Sequence, residues 1–203
     1  MLSNALIFLF AGFDTTSMGI GMIANKLALY PDLQEKVFDE MEEVLGDADT
    51  MITFDQIQSL KYMDMFIAES FRLQNVIVAH ERLCTKDYTV PGTDIVIPQG
   101  RYVKIFIDDI ASDAKNFVNP LDFDPENFNP ENKPNKFGYM IFGQGPRNCI
   151  GMRYALLTLK YALVYMMRRH RLVRCAKTSE KLELDRNNLS VFATGSWVKF
   201  ERR

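Results

Sequence analysis

The sequence predicts a mainly α protein with small β-sheets (α+β), and three observations carry that reading. The run from Asn4 to Leu29 is apolar on nearly every side, as in a helix set in the middle of a core. Leu33, Val37, Met41, Val44 and Leu45 then recur at helical spacing, with acids on the opposite face. Strand-like stretches come later, are short, and lie between turn residues. With 203 residues, 47% hydrophobic and 25% charged, the chain can build a sizeable core, so disorder and collagen-like structure are excluded. Lys+Arg 24 against Asp+Glu 26 give a net charge of −2, so no nucleic-acid partner is expected. Cys84, Cys149 and Cys175 are odd in number and lack CxxC spacing, which argues against a disulfide framework and a zinc ribbon, and for a reducing compartment.

In the first helix (about 4–29), Asp14-Thr15-Thr16-Ser17 forms a polar break after Gly12. Side chains of this kind compete for backbone hydrogen bonds, so a local distortion is expected there. The alternative, slightly favoured on periodicity, is that Asp14 caps a helix that starts after an apolar strand. The apolar run Ala5 to Phe13 falls short of the roughly 18–20 residues that span a bilayer. It also lacks the basic flank and cleavage site of a signal peptide. It reads as a buried helix, as does Tyr154 to Met167 with its interruption at Lys160, and no anchor is expected.

Pro31 suits the first turn of a second helix and Gly46 its end. Thr53-x-x-Gln56 resembles a capping box that opens a short helix. A further helix spans about 62–73 and carries Glu69 and Arg72 at i, i+3, where they can touch. Tyr88-Thr89-Val90, the turn Pro91-Gly92, and Asp94 to Ile97 predict a hairpin, and Tyr102 to Ile107 another strand. Residues 112–138 form an irregular segment holding Pro120, Pro125, Pro130 and Pro134. Irregular stretches of that length inside a domain usually have a function. A cysteine loop (142–151), a helix (152–168) and one or two strands between Leu182 and Phe200 complete the chain.

Cys149 precedes a helix N-terminus in a glycine-rich loop. Free N–H groups and the helix dipole attract a thiolate there, and glycines let backbone pass close to a flat ligand. Arg147 can pair with a carboxylate. These features suit haem iron held by a thiolate, with the arginine on a propionate. The bland alternative, an inert cysteine in a turn, leaves the fixed offsets of Phe142, Gly145, Arg147, Cys149 and Gly151 to chance.

The pattern F-x-x-G-x-R-x-C-x-G resembles the haem-binding loop of the cytochrome P450 family, and GPRNCIGMRYAL is most similar to its animal microsomal branch. Ala11-Gly12-Phe13-Asp14-Thr15-Thr16 resembles the family's central-helix signature, and Glu69-x-x-Arg72 its buried structural pair. The resemblance covers essentially the whole chain and implies the C-terminal, haem-binding half of that fold as a single partial domain, 1–203. It implies Cys149 as axial ligand to haem iron, Arg147 on a propionate, and Phe142, Ile150 and Ala11 near the ring. Asp14 and Thr15 would handle protons for O2, the co-substrate. Partners implied are a lipophilic small-molecule substrate and an NADPH-dependent flavoprotein reductase. Longer relatives are implied to sit in the endoplasmic reticulum membrane through an N-terminal anchor that this chain lacks. A non-catalytic remnant and a haem-thiolate isomerase or dehydratase acting on peroxides are the competing functions.

Several positions depart from the family pattern. Asn127 stands where P-E-R-F has arginine, and Gln74-Asn75-Val76 where two prolines are common. Asp113-Ala114 replaces an aspartate–proline step, and Ala79 occupies the place of a propionate arginine, for which His80 or Arg82 are candidate substitutes. A lone histidine is, however, more often structural. The chain corresponds to less than half of a family member, which implies a fragment or incomplete gene model whose central helix would show water an apolar face.

Overall fold

The computed structural model describes residues 2–47, 49–132, 134–185, 192–194 and 196–203. Helix α1 (Leu2–Leu29) is the longest element, followed by α2 (Pro31–Leu45), α3 (Phe54–Ser59) and α4 (Lys61–Leu73). Pro31 opens α2 and Gly46 closes it, while Thr53 and Gln56 exchange the reciprocal bonds of a capping box at α3. Strand β1 (Ala79–Leu83) pairs antiparallel with β4 (Tyr102–Phe106), running from Ala79 opposite Phe106 to Leu83 opposite Tyr102. Between them lies the hairpin of β2 (Tyr88–Thr89) and β3 (Val96–Ile97). The short helix α5 (Ile107–Ala111) leads into the irregular segment, whose regular part is the 3₁₀ turn Pro125–Phe128. Helix α6 (Met152–Met167) is followed by β5 (His170–Val173), β6 (Glu183–Asp185), β7 (Phe192–Thr194) and β8 (Lys199–Arg202). Strands β5 and β8 pair antiparallel, as do β6 and β7. The α+β class is therefore as expected, with β1 and β5 added to the strands legible in the sequence.

The polar break corrects the capping alternative. The α-helix begins at Leu2 and continues through Asp14-Thr15-Thr16-Ser17, so Asp14 is not an N-cap and no break in helical structure occurs there. Two of the competing hydroxyls are absorbed by the helix itself: Thr15 Oγ1 donates to the Ala11 carbonyl at 2.6 Å and Ser17 Oγ to that of Asp14 at 2.9 Å.

Burial of α1 also differs from the expected helix apolar and enclosed on all sides. Its C-terminal half is enclosed, with Met22 and Ile23 at 0% and Leu27 at 1% exposure, while Phe8 at 62% and Phe13 at 68% face outward. By length and composition alone this helix could cross a membrane, with a mean hydropathy of 1.6 over 18 residues. The run Ala5–Phe13 understated it because helix and apolar character both continue into the core. That core joins the second half of α1 to α2, α4 and α6, and each fully buried aliphatic or aromatic side chain contributes about 1.5–3 kcal/mol. Where α1 meets α4 and α6, a Cβ on Gly19 would come within 2.9 Å of Phe71 and 3.3 Å of Leu159, so the close approach requires glycine.

Two buried polar side chains tie elements together. Gln34 Nε2 donates to the carbonyls of Leu27 at 2.9 Å and Leu172 at 2.8 Å, and its Oε1 accepts from the Leu172 amide at 2.8 Å. This joins the end of α1, the start of α2 and β5. Lys160, the interruption in α6, points its ammonium at the carbonyls of Ile57 and Leu60, each at 3.1 Å, and at Asp64 at 2.7 Å. It thereby satisfies carbonyls at the end of α3 that the helix cannot pair itself.

Candidate functional site

The loop holding Cys149 is built from backbone up. The Gly143 amide donates to the Met140 carbonyl at 2.9 Å, and the chain turns through a positive φ of 73° at Gly143. That region disfavours any residue with a Cβ. A 3₁₀ turn at Gly145–Arg147 follows, and the Cys149 amide closes the loop on the Phe142 carbonyl at 2.8 Å. Cys149 is a free, exposed thiol just ahead of α6. Phe142 packs edge-on against Phe71 of α4, with ring centroids 6.4 Å apart. Tyr139 fixes the chain before the loop by donating its hydroxyl to the Ala68 carbonyl at 3.1 Å, and burial, reinforced by Glu69, pushes its phenol well above the usual range.

Beneath this region lies the buried pair. Arg72 Nε meets Glu69 Oε2 at 2.7 Å and Nη2 meets Oε1 at 2.8 Å, a two-point contact with both side chains fully enclosed. The remaining guanidinium donors reach the carbonyls of Ala111 at 2.9 Å, Pro120 at 2.6 Å and Asp122 at 2.8 Å. Glu69 Oε1 also accepts from the Asp124 amide at 2.8 Å and from Asn127 Nδ2 at 3.2 Å. Asn127 thus keeps a hydrogen bond to Glu69, although it brings no charge. Through these bonds α4 holds the irregular segment that precedes the cysteine loop.

Between α1, α4, the stretch before β1, the loop and α6 is an apolar cleft of about 240 Å³. It brings together four of the residues singled out in the sequence: Thr15, Phe142, Arg147 and Cys149. Asp14, half-buried, and Ala11, exposed, lie on the same helix but are not among its lining residues. Ile150 stands 86% exposed outside it. Glu69 and Arg72 sit behind it rather than in it. Val76 and Ile77, just before β1, also line the cleft, while Leu189 to Phe192 lie outside the described residues except for the backbone of Phe192. Arg168, Arg169 and Arg171, after α6, engage Thr50 and Asp47 carbonyls, Asp49, and Glu35 respectively.

The sequence reading did not single out Thr16 and Phe71 as lining residues, and left His80 open. His80 Nε2 donates to the Met140 carbonyl at 2.7 Å, and its ring lies against Gly143. The displaced arginine at Ala79 was the signal for it. Arg82 instead turns to the carbonyl of Glu81 at 2.8 Å.

Among the described residues, no group of three or more His, Cys, Asp or Glu converges to hold a bare metal ion. A metal at this cleft must therefore bring most of its own ligands. One thiol, one arginine and apolar walls fit a flat, iron-bearing macrocycle with peripheral carboxylates. Thr16 is also among the lining residues, and its Oγ1 is buried without a hydrogen-bond partner.

Fold and cleft together define a mainly α protein with an apolar cleft that presents one thiol and one guanidinium. A profile of the Cytochrome P450 family matches residues 1–197. The chain is 38% identical over 205 residues to Cytochrome P450 9e2 of Blattella germanica, covering 99% of this chain and 38% of that protein. It is 37% identical over 188 residues to Cytochrome P450 3A25 of Mus musculus, covering 92% and 37%. Probable cytochrome P450 6a13 of Drosophila melanogaster is 35% identical over 191 residues, covering 93% and 39%. The chain belongs to the cytochrome P450 family, and spans under two-fifths of the length of these relatives.

Proposed function

We propose that this chain carries the haem-thiolate half of a monooxygenase. The observation supporting this most directly is that Thr15, near one end of the sequence, shares one apolar cleft with Phe142, Arg147 and Cys149. When bound, haem supplies dioxygen activation: one oxygen atom enters a lipophilic substrate and the other leaves as water, at the expense of two electrons. Cys149 is the thiolate that ligates the iron, and Arg147 pairs with a peripheral carboxylate. Phe142, braced by Phe71, would give the cofactor an aromatic wall beside the loop, with Ile150 and Ala11 adding apolar surface at the rim. Thr15 would offer its hydroxyl at the cleft wall, with Asp14, its neighbour on α1, as the proton source. Orientation, proton delivery and water exclusion are the protein's share.

Electrons come from an NADPH-dependent flavoprotein reductase, as is general for the family, and the setting is the endoplasmic reticulum membrane of longer relatives. The decisive experiment is the reduced, CO-bound spectrum of haem-reconstituted chain and of Cys149→Ser. A red-shifted band lost in the variant is expected. No Soret band in either would mean a non-catalytic remnant. Product from a hydroperoxide without reductase or reductant would instead mean an isomerase or dehydratase.

A further inference from the structure

The carbonyl of Met140, at the entry to the cysteine loop, accepts two bonds. One comes from the Gly143 amide at 2.9 Å and the other from the His80 ring at 2.7 Å, 60 residues earlier in the chain. A carbonyl oxygen can only accept, so Nε2 carries the proton in the neutral ring and in the imidazolium alike. The same ring packs on the turn it holds: a Cβ placed on Gly143 would stand 3.4 Å from His80 Cε1 and 3.6 Å from Nε2. Gly143 follows Phe142, whose carbonyl receives the Cys149 amide at 2.8 Å. His80 is itself fixed in β1, opposite Ile105 of β4. A short series of contacts thus runs from the β1–β4 pair to the cysteine, with the His80 ring as its side-chain link. This use of the ring differs from the propionate contact that the sequence suggested for it.

We propose that His80 is a positioning residue for Cys149, acting through the Met140 carbonyl and the Gly143 turn to hold the loop in the shape that presents the thiol. It rests on the haem reading above only for what the thiol serves. The Met140 carbonyl keeps the Gly143 amide when the ring is lost. Removing His80 therefore leaves that acceptor paired, and the effect falls on the loop rather than on the core.

The test compares wild type, His80→Leu and His80→Gln, whose Nε2 stands the same number of bonds from Cβ as that of histidine. The first readout is deuterium exchange at the Gly143 and Cys149 amides of the porphyrin-free chain, with the enclosed amides of residues 22–27 as reference. His80→Leu is expected to speed exchange at the two loop amides roughly fivefold, the weight of one ordinary hydrogen bond, and to leave the reference unchanged. His80→Gln restores the wild-type rates. The second readout is the reduced, CO-bound spectrum at equal haem content. His80→Leu moves part of the red-shifted thiolate band to the unshifted position, and His80→Gln recovers it. Unchanged loop exchange in His80→Leu, equal acceleration at the reference amides, or no recovery in His80→Gln overturns the proposal. Faster loop exchange with a wild-type band overturns it as well. A wild-type chain that takes up no haem overturns the haem reading alone, and the exchange rates then decide the role of His80.

Discussion

The Glu69–Arg72 centre and the Cys149 loop are near neighbours with opposite characters. In the first, two charges are fully enclosed and every stretch of nearby backbone is recruited to satisfy them. In the second, the cysteine is exposed, and the loop is shaped by backbone bonds, a bond from Gln144 to the Lys136 carbonyl and the packing of Phe142 on Phe71. The centre specifies how the irregular segment runs, and the loop displays a thiol on the surface so created. Buried support and the exposed thiol thereby fall to different residues, and substitutions should separate their effects on stability.

The largest contrast is expected between Arg72→Met and Cys149→Ser. Removing Arg72 leaves a buried carboxylate without its partner and costs about 3–5 kcal/mol, enough to abolish cooperative unfolding in a marginally stable chain. Cys149→Ser, at an exposed position, should change stability by less than about 0.5 kcal/mol. Urea denaturation followed by circular dichroism checks both, and comparable losses would break the distinction. Lys160→Met sharpens it with an intermediate case: the carbonyls of Ile57 and Leu60 lose their shared donor, at a cost of about 1–3 kcal/mol.

The smallest effect belongs to a third region, at the surface. Hydrogen bonding from Arg203, with help from Arg171, holds the Glu35 carboxyl below its ordinary range against a partial opposing effect of burial. Because the folded value is the lower one, this stabilisation is present above the unfolded carboxylate value and fades as pH falls through the folded one. The stability difference between wild type and Glu35→Gln should therefore shrink on acidification, from a starting size of about 0.2–1 kcal/mol typical of exposed pairs.

Much of this organisation was legible in local chemistry. Pro31 and Gly46 bound α2, Thr53 and Gln56 announce α3, and the prolines of the irregular segment exclude regular ladders. What escaped was non-local. Strand β1 pairs with β4 across the intervening hairpin, and its burial does not alternate, so nothing in Ala79–Leu83 marks a strand by itself. Strand β5 likewise waits for β8 at the far end of the chain. Lys160 reads as a flaw in an apolar helix until its carbonyl partners, about a hundred residues earlier, are brought beside it. In the cleft, Cys149 and Arg147 could be found from motif spacing, whereas Phe71 could not, because its place there depends on packing against Phe142. Nor does composition reveal which half of α1 is enclosed, since the exposed outer half is no less apolar than the enclosed one.

That division within one continuous helix makes its amides report on two different processes. Those around Phe8 exchange with deuterium whenever the outer turns fray, a local event of low free energy. Those around Met22 to Leu27 exchange only when the surrounding helices come apart, so a protection profile along α1 rises steeply past its midpoint.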